Sequence, residues 1–222
     1  MERIADGVHL LRGRPRHAVN VYLLEDVLVD AGTRQARNRI LRQLRGRPVR
    51  AHALTHVHPD HQGASHAVCT ELHVPLWASE GDADAMEDGA VMRERFGTGA
   101  ATFVQRKLWM GPPHPVARRL REGDEVAGFT VLETPGHTRG HVAYWREADR
   151  TLIAGDVFFN LNPLTGRPSL GPPPDAFNDD SARNRESMRR LAALEPAVTC
   201  FGHGPPVRDP TRLRALVDSL PT

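Results

Sequence analysis

Lysine is almost missing from this chain: Lys107 stands alone among 29 Lys and Arg residues, against 27 Asp and Glu and a net charge of +2. Charge so balanced leaves no basic field of the kind that draws a protein onto nucleic acid or an anionic membrane, so no nucleic-acid partner is expected, and the arginine excess reads as a GC-rich coding bias. Cysteine is scarce as well. Cys69 and Cys200 form no spacing motif, which excludes a disulfide framework and predicts two reduced, buried thiols. No apolar run approaches the ~20 residues that a bilayer span requires, and no membrane partner is expected. The opening MERIADGVHLL has neither the basic start nor the apolar core of a signal peptide, so the expected location is cytoplasmic.

With 222 residues and 40% hydrophobic side chains, the chain can bury one large core, and a single domain over 1–222 is expected. Short apolar runs, many of them β-branched, predict strands at Val8–Leu11, Val19–Leu24, Val27–Val29, Ala51–Leu54, Val74–Trp77, Phe129–Glu133, Val142–Trp145, Thr151–Ala154 and Val198–Phe201. Helices are predicted over Gln35–Leu44, Gln62–Glu71, Asp179–Leu194 and Pro210–Leu220, with Asp179 or Asp180 as an N-cap. Interleaved strands and helices give an α/β or layered α+β class. Two segments, VNVYLLEDVLVDAG (19–32) and HVAYWREADRTLIAGD (141–156), both read strand, charged turn, strand and then an aspartate beside a glycine, which hints at a duplicated half-domain.

Histidine is what the chain has in one striking concentration, since three of its 12 fall with an aspartate in THVHPDH, residues 55–61. Neutral imidazole and carboxylate both donate lone pairs to divalent cations. The other metal-capable residues follow strands too: His137 and His141 in TPGHTRGH, Asp156 after TLIAG, His203 in FGHG. Glycine or proline in each cluster lets the backbone turn sharply at a sheet edge. His56 and His58, two apart in extended backbone, project to one side. Asp60 and His61 follow Pro59 into a helical turn and point elsewhere. The spacing therefore predicts two ions, His56, His58 and His137 on one and Asp60, His61 and His203 on the other, with Asp156 as the bridge.

The set THVHPDH, TPGHTRGH, AGD and FGHG, in this order, resembles the metallo-β-lactamase-fold hydrolase superfamily, over nearly the whole chain. The resemblance implies a four-layer αββα sandwich and two metal ions, zinc first, with iron or manganese as alternatives. An aspartate at 156 points away from true β-lactamases and towards glyoxalase II-like thioesterases and lactonases. The expected activity is hydrolysis of a small ester, thioester or lactone by a metal-bridging hydroxide, with Asp60 as the catalytic proton carrier. A mononuclear iron sulfur dioxygenase of the same fold is the alternative, ahead of a nuclease or a non-catalytic scaffold. Only 19 residues follow His203, which weighs against the glutathione thioester of glyoxalase II.

Four features stay open at this level. His141 is expected to support the site by hydrogen bonding. Asp30 is either a turn residue or a support for a ligand. His9, His17, His52, His66, His73 and His114 carry no motif and are expected to be solvated or structural, with His17 near enough to the NVY strand to edge a pocket. A helical insertion at about 78–119, containing Met86, Met92, Phe96, Phe103, Trp109 and Met110, is either a substrate lid or a helix pair that packs on the sheet.

Overall fold

Val27, Leu28 and Val29 are buried on both faces, as are Tyr22, Leu23 and Leu24 before them, so these runs are apolar throughout instead of alternating. Glu25 adopts a left-handed φ of 50°, which reverses the chain between them. The computed structural model describes residues 1–95, 103 and 106–221, and Phe96 of the expected insertion lies outside them. Contacts gather into two units, Met1–Leu11 with Val21–Leu120, and Arg12–Asn20 with Arg121–Thr222.

The first unit runs β1 (Glu2–Ala5), β2 (Val8–Leu10), β3 (Tyr22–Leu24), β4 (Val27–Val29), α1 (Arg37–Leu44), β5 (Ala51–Ala53), α2 (Pro59–Gln62), α3 (Ser65–Leu72), β6 (Leu76–Ser79), α4 (Glu80–Glu87), α5 (Gly89–Arg95) and β7 (Val116–Leu120). Its sheet follows sequence order from β1 to β7. Pairing is antiparallel from β1 to β4 and parallel from β4 to β7. Ile40 and Leu44 of α1 pack with Leu23, Leu28 and Val68. Full burial of a side chain such as Ile40 contributes roughly 1.5–3 kcal/mol. A second cluster joins Leu54, Val57 and Leu76 to Met86 and Met92.

The second unit runs β8 (Glu125–Val126), β9 (Phe129–Glu133), β10 (Val142–Arg146), β11 (Thr151–Gly155), β12 (Phe159–Asn160), β13 (Leu170–Gly171), α6 (Ser181–Ala192), β14 (Val198–Phe201) and α7 (Pro210–Asp218). Its main sheet has the order β14-β11-β10-β9-β8, parallel between β14 and β11 and antiparallel elsewhere. Met188 and Leu191 of α6 and Leu213 and Val217 of α7 share a core with Leu152, Ala154 and Phe201. Asp180 caps α6 by accepting from the Arg183 backbone N–H at 2.9 Å.

Several boundaries differ from the sequence expectation, each for a local reason. The helix expected over Gln62–Glu71 is two pieces, broken at Gly63, where the limb at Trp109 to Gly111 presses in; a Cβ on Gly63 would lie 2.2 Å from the Trp109 carbonyl oxygen. The strand expected at Val74 begins at Leu76, because the Val74 N–H is spent on the Cys69 carbonyl at 3.1 Å and Pro75 has none to give. β1 and β7 went unpredicted: they are edge strands with few buried residues and little apolar signal. β7 also shows that the end of the 78–119 segment is strand, while α4 and α5 lie earlier within it. Both cysteines are free and buried, as expected. Among the described residues, no helix is long and apolar enough to cross a membrane.

Candidate metal centre

Every candidate ligand of the first unit hangs from the carboxyl end of a parallel strand. β5 ends at Ala53, and the chain then runs through Thr55, His56, Val57 and His58 before Pro59 opens α2 as its first residue. The His58 carbonyl accepts from the N–H groups of His61 and Gln62 at 2.9 and 3.0 Å, so the turn that lifts Asp60 and His61 is closed by the backbone itself. His56 and His58 offer nitrogens within 4.8 Å of one another, and Asp60 and His61 offer ligand atoms within the same limit. The rings of His56 and His61 lie with centroids 4.2 Å apart, those of His56 and His58 4.7 Å apart.

Asp30 settles its open reading here. Buried past the end of β4 with a left-handed φ of 60°, it accepts from the Thr55 N–H at 2.8 Å through Oδ1. Its Oδ2 accepts from the Thr55 hydroxyl at 2.8 Å and from His61 Nδ1 at 2.9 Å. With the Thr55 hydrogen on Asp30, the hydroxyl oxygen accepts from His56 Nδ1 at 2.9 Å. One carboxylate thus fixes the tautomers of two histidines, leaving Nε2 as the lone-pair nitrogen of each. Asp82 on α4 is a residue the sequence reading missed. Buried in the second core cluster's neighbourhood, it accepts from the Val57 N–H at 3.2 Å, between the two histidines of the HxH turn.

In the second unit the TPGHTRGH loop leaves β9 and packs on the start of α6. Gly136, at φ 133°, is required there: a Cβ would lie 2.2 Å from the Asn184 backbone nitrogen. His137 donates Nδ1–H to Asn178 Oδ1 at 2.8 Å, and the Asn178 amide is itself held on Ser181 Oγ at 3.1 Å. Nothing in the sequence pattern marked Asn178, because it lies 41 residues from its histidine. His203 donates Nδ1–H to the Ala18 carbonyl. Asp156, just beyond β11, places Oδ2 3.4 Å from His137 Nε2 and 3.1 Å from His203 Nε2. Phe159 lies against both imidazoles, with centroids 4.5 Å from His203 and 6.2 Å from His137.

His141 does a different job. Its Nδ1–H donates to Thr134 Oγ1 at 2.8 Å, and its Nε2 accepts from the Asp156 N–H at 3.0 Å. Both ring nitrogens are spent within the unit, so the ring holds Asp156 in place and has no lone pair left for an ion. His17 contributes backbone, its carbonyl accepting from the Gly204 N–H at 2.8 Å. His52 is fully buried, donating Nδ1–H to the Leu28 carbonyl at 3.0 Å and accepting at Nε2 from Ser65 Oγ at 2.8 Å. Burial pushes its pKa down to about 4, so the ring is neutral.

In each unit the donor types suit a divalent ion of borderline softness. In His56, His61, His137 and His203 the Nδ1–H is anchored on an oxygen, which leaves Nε2 as the nitrogen each ring can offer to an ion. Asp60 and Asp156 add anionic oxygen.

The sequence profile of the Metallo-beta-lactamase superfamily matches residues 14–203. The probable metallo-hydrolase YflN of Bacillus subtilis is 29% identical over 232 residues, spanning 91% of this chain and 86% of that protein. A hydroxyacylglutathione hydrolase of Bdellovibrio bacteriovorus is 38% identical over 92 residues, which is 39% of this chain and 33% of that enzyme. The crystal structure of TTHA1623, in a di-iron-bound form, superposes with a TM-score of 0.67 at 31% identity, covering 89% of this chain and 92% of that one.

Proposed function

The chain belongs to the metallo-β-lactamase superfamily and has its mixed α/β fold, and from that membership we propose that it is a dinuclear metal-dependent hydrolase of a small ester, thioester or lactone. In this reading His56, His58 and His137 hold one ion, Asp60, His61 and His203 hold the other, and Asp156 serves both. The observation that carries it is Asp156, whose Oδ2 stands 3.4 and 3.1 Å from the Nε2 atoms of two histidines, each already fixed through Nδ1. A bound pair of such ions would supply Lewis-acid polarisation of an acyl carbonyl and a hydroxide nucleophile near neutral pH.

The chain's own groups have separable roles. Asp30, Asn178 and the Ala18 carbonyl orient imidazoles, and His141 orients Asp156 through its backbone N–H. Asp60 has a side chain 18% exposed, against 2% for Asp156. That solvent access makes Asp60 the carboxylate able to take a proton and hand it to a leaving group. Phe159 walls the imidazoles of His137 and His203 from water on one side. The thioester option rests on the likeness to the hydroxyacylglutathione hydrolase, which spans only part of both chains. A small-molecule substrate is proposed, with no nucleic acid or membrane partner.

The di-iron form of TTHA1623 makes iron a second candidate occupant. Elemental analysis of the purified chain, run beside a panel of esters, thioesters and lactones, tests the proposal. Two metal equivalents with turnover of one panel class are expected. A single iron with oxygen consumption and no hydrolysis would overturn it in favour of the sulfur dioxygenase reading.

A further inference from the structure

His66 and His114 are 48 residues apart in sequence, yet their Nδ1 atoms face each other at 3.2 Å. His66 lies in the first turn of α3 and His114 in the chain leading to β7, held there by its backbone N–H on the Met86 carbonyl at 3.0 Å. The Pro113 carbonyl oxygen is 3.1 Å from His66 Nδ1. Three atoms that all carry lone pairs therefore crowd one small volume, and the rings meet edge to face at an interplanar angle of 82°. Neutral imidazole carries one N–H. A hydrogen on His66 Nδ1 has two acceptors to choose from; a hydrogen on His114 Nδ1 leaves the His66 lone pair facing the carbonyl.

The same cluster also has the spacing of a cation site. Two imidazole nitrogens on one tetrahedral ion, each at about 2.0–2.1 Å, stand roughly 3.3–3.4 Å apart. The observed 3.2 Å needs almost no movement to reach that spacing. Both rings are partly exposed, so an ion has a path in from solvent and water can complete its coordination. Burial and the neighbouring His66 lower the His114 pKa, which keeps its lone pair available at neutral pH.

We propose that His66, His114 and the Pro113 carbonyl form an accessory site for a divalent transition ion such as Zn²⁺, in addition to the centre described above. Imidazole nitrogen selects zinc, nickel or copper over magnesium or calcium. Bound there, the ion staples α3 to the stretch just before β7, near the junction where Gly63 meets Trp109 and Gly111.

The test is a calorimetric Zn²⁺ titration of the full chain after it has been loaded with zinc and dialysed to retain only tightly held metal. One further ion per chain is expected, with its affinity falling at least tenfold in His66→Gln and in His114→Gln while the metal retained on dialysis stays the same in both. Histidine-selective ¹⁵N NMR of the wild-type chain reads the contact directly: added Zn²⁺ shifts the Nδ1 signals of His66 and His114. No further ion in the wild type, unchanged affinity in both variants, or unshifted Nδ1 signals would each overturn the site. If a variant does not fold, the wild-type NMR result decides alone.

Discussion

His137 and His141 sit four residues apart in one loop, and their neighbours give them opposite duties. His137 spends Nδ1 on Asn178 and turns Nε2 towards Asp156; His141 spends both nitrogens, on Thr134 and on the Asp156 backbone. His137→Ala is therefore expected to lose a metal equivalent and activity together. His141→Ala should keep its ligands and lose metal affinity by roughly 10- to 100-fold, the usual effect of removing a group that orients a ligand. Metal stoichiometry after dialysis separates the two, and equal loss in both variants would mean that a ligand has been misassigned. The candidate ligands were legible in the sequence because THVHPDH and TPGHTRGH put them at fixed, short spacings. Their supports were less legible. Asp30 reaches His61 across 31 residues, Asn178 reaches His137 across 41, and Asp82 reaches Val57 across 25, so each pairing exists only once the chain is folded.

At the level of elements, the segment between β6 and β7 divides the two readings that its sequence left open. Met86 and Met92 are fully buried in a core cluster, so α4 and α5 pack on the sheet. Leu108 and Trp109 instead expose apolar surface, 49% and 37% respectively, and Phe103 is 54% exposed. The Trp109 backbone is fixed while its side chain stays accessible: its carbonyl accepts from the Arg34 N–H at 2.8 Å, and it presses on Gly63, two residues beyond His61. A tryptophan placed so can contact an acyl group, with a contribution of roughly 1–3 kcal/mol to discrimination. Trp109→Ala is expected to raise KM or reorder preference among acyl lengths, with metal content unchanged. Kinetics on three acyl lengths beside a thermal melt check this; a large drop in melting temperature with unaltered preference would retire the lid role. That the segment carries helix was readable from sequence, whereas the exposure of Trp109 was not, because an isolated aromatic carries no face.

Across the whole molecule the two units repeat one plan. β3 and β4 form a hairpin, Asp30 follows, and β4 pairs in parallel with β5; β10 and β11 form a hairpin, Asp156 follows, and β11 pairs in parallel with β14. The internal likeness of residues 19–32 and 141–156 is thus matched in topology, and each aspartate hydrogen-bonds or faces a histidine of its own unit, His61 for Asp30 and His203 for Asp156. The repeat was visible because the hairpin and its aspartate are contiguous; the edge strands β1 and β7 were not, because half-exposed edges carry little apolar pattern.

Within this plan His52 links the pH of the medium to the stability of the molecule. It sits at the middle of β5, bonded to β4 through Leu28 and to α3 through Ser65, and it has no exposed surface. Burial lowers its folded pKa from 6.5 to about 4. Between those values the unfolded chain binds a proton that the folded chain refuses, so stability rises with pH across that window. The contribution is fully present above about pH 6.5 and is lost as pH falls towards 4, for a total on the order of 3 kcal/mol. His52→Asn keeps a donor for the Leu28 carbonyl, gives up the Ser65 bond and cannot titrate. It should be less stable than the wild type at pH 7, and its unfolding free energy should change less between pH 7 and pH 4.5. Urea denaturation of both proteins at intervals across that range measures the difference, in which the titration of groups not coupled to His52 cancels; Asp30 and His114 are the coupled ones. Parallel curves would show that His52 is protonated at little cost in the folded chain, and would remove burial as the cause of its neutrality.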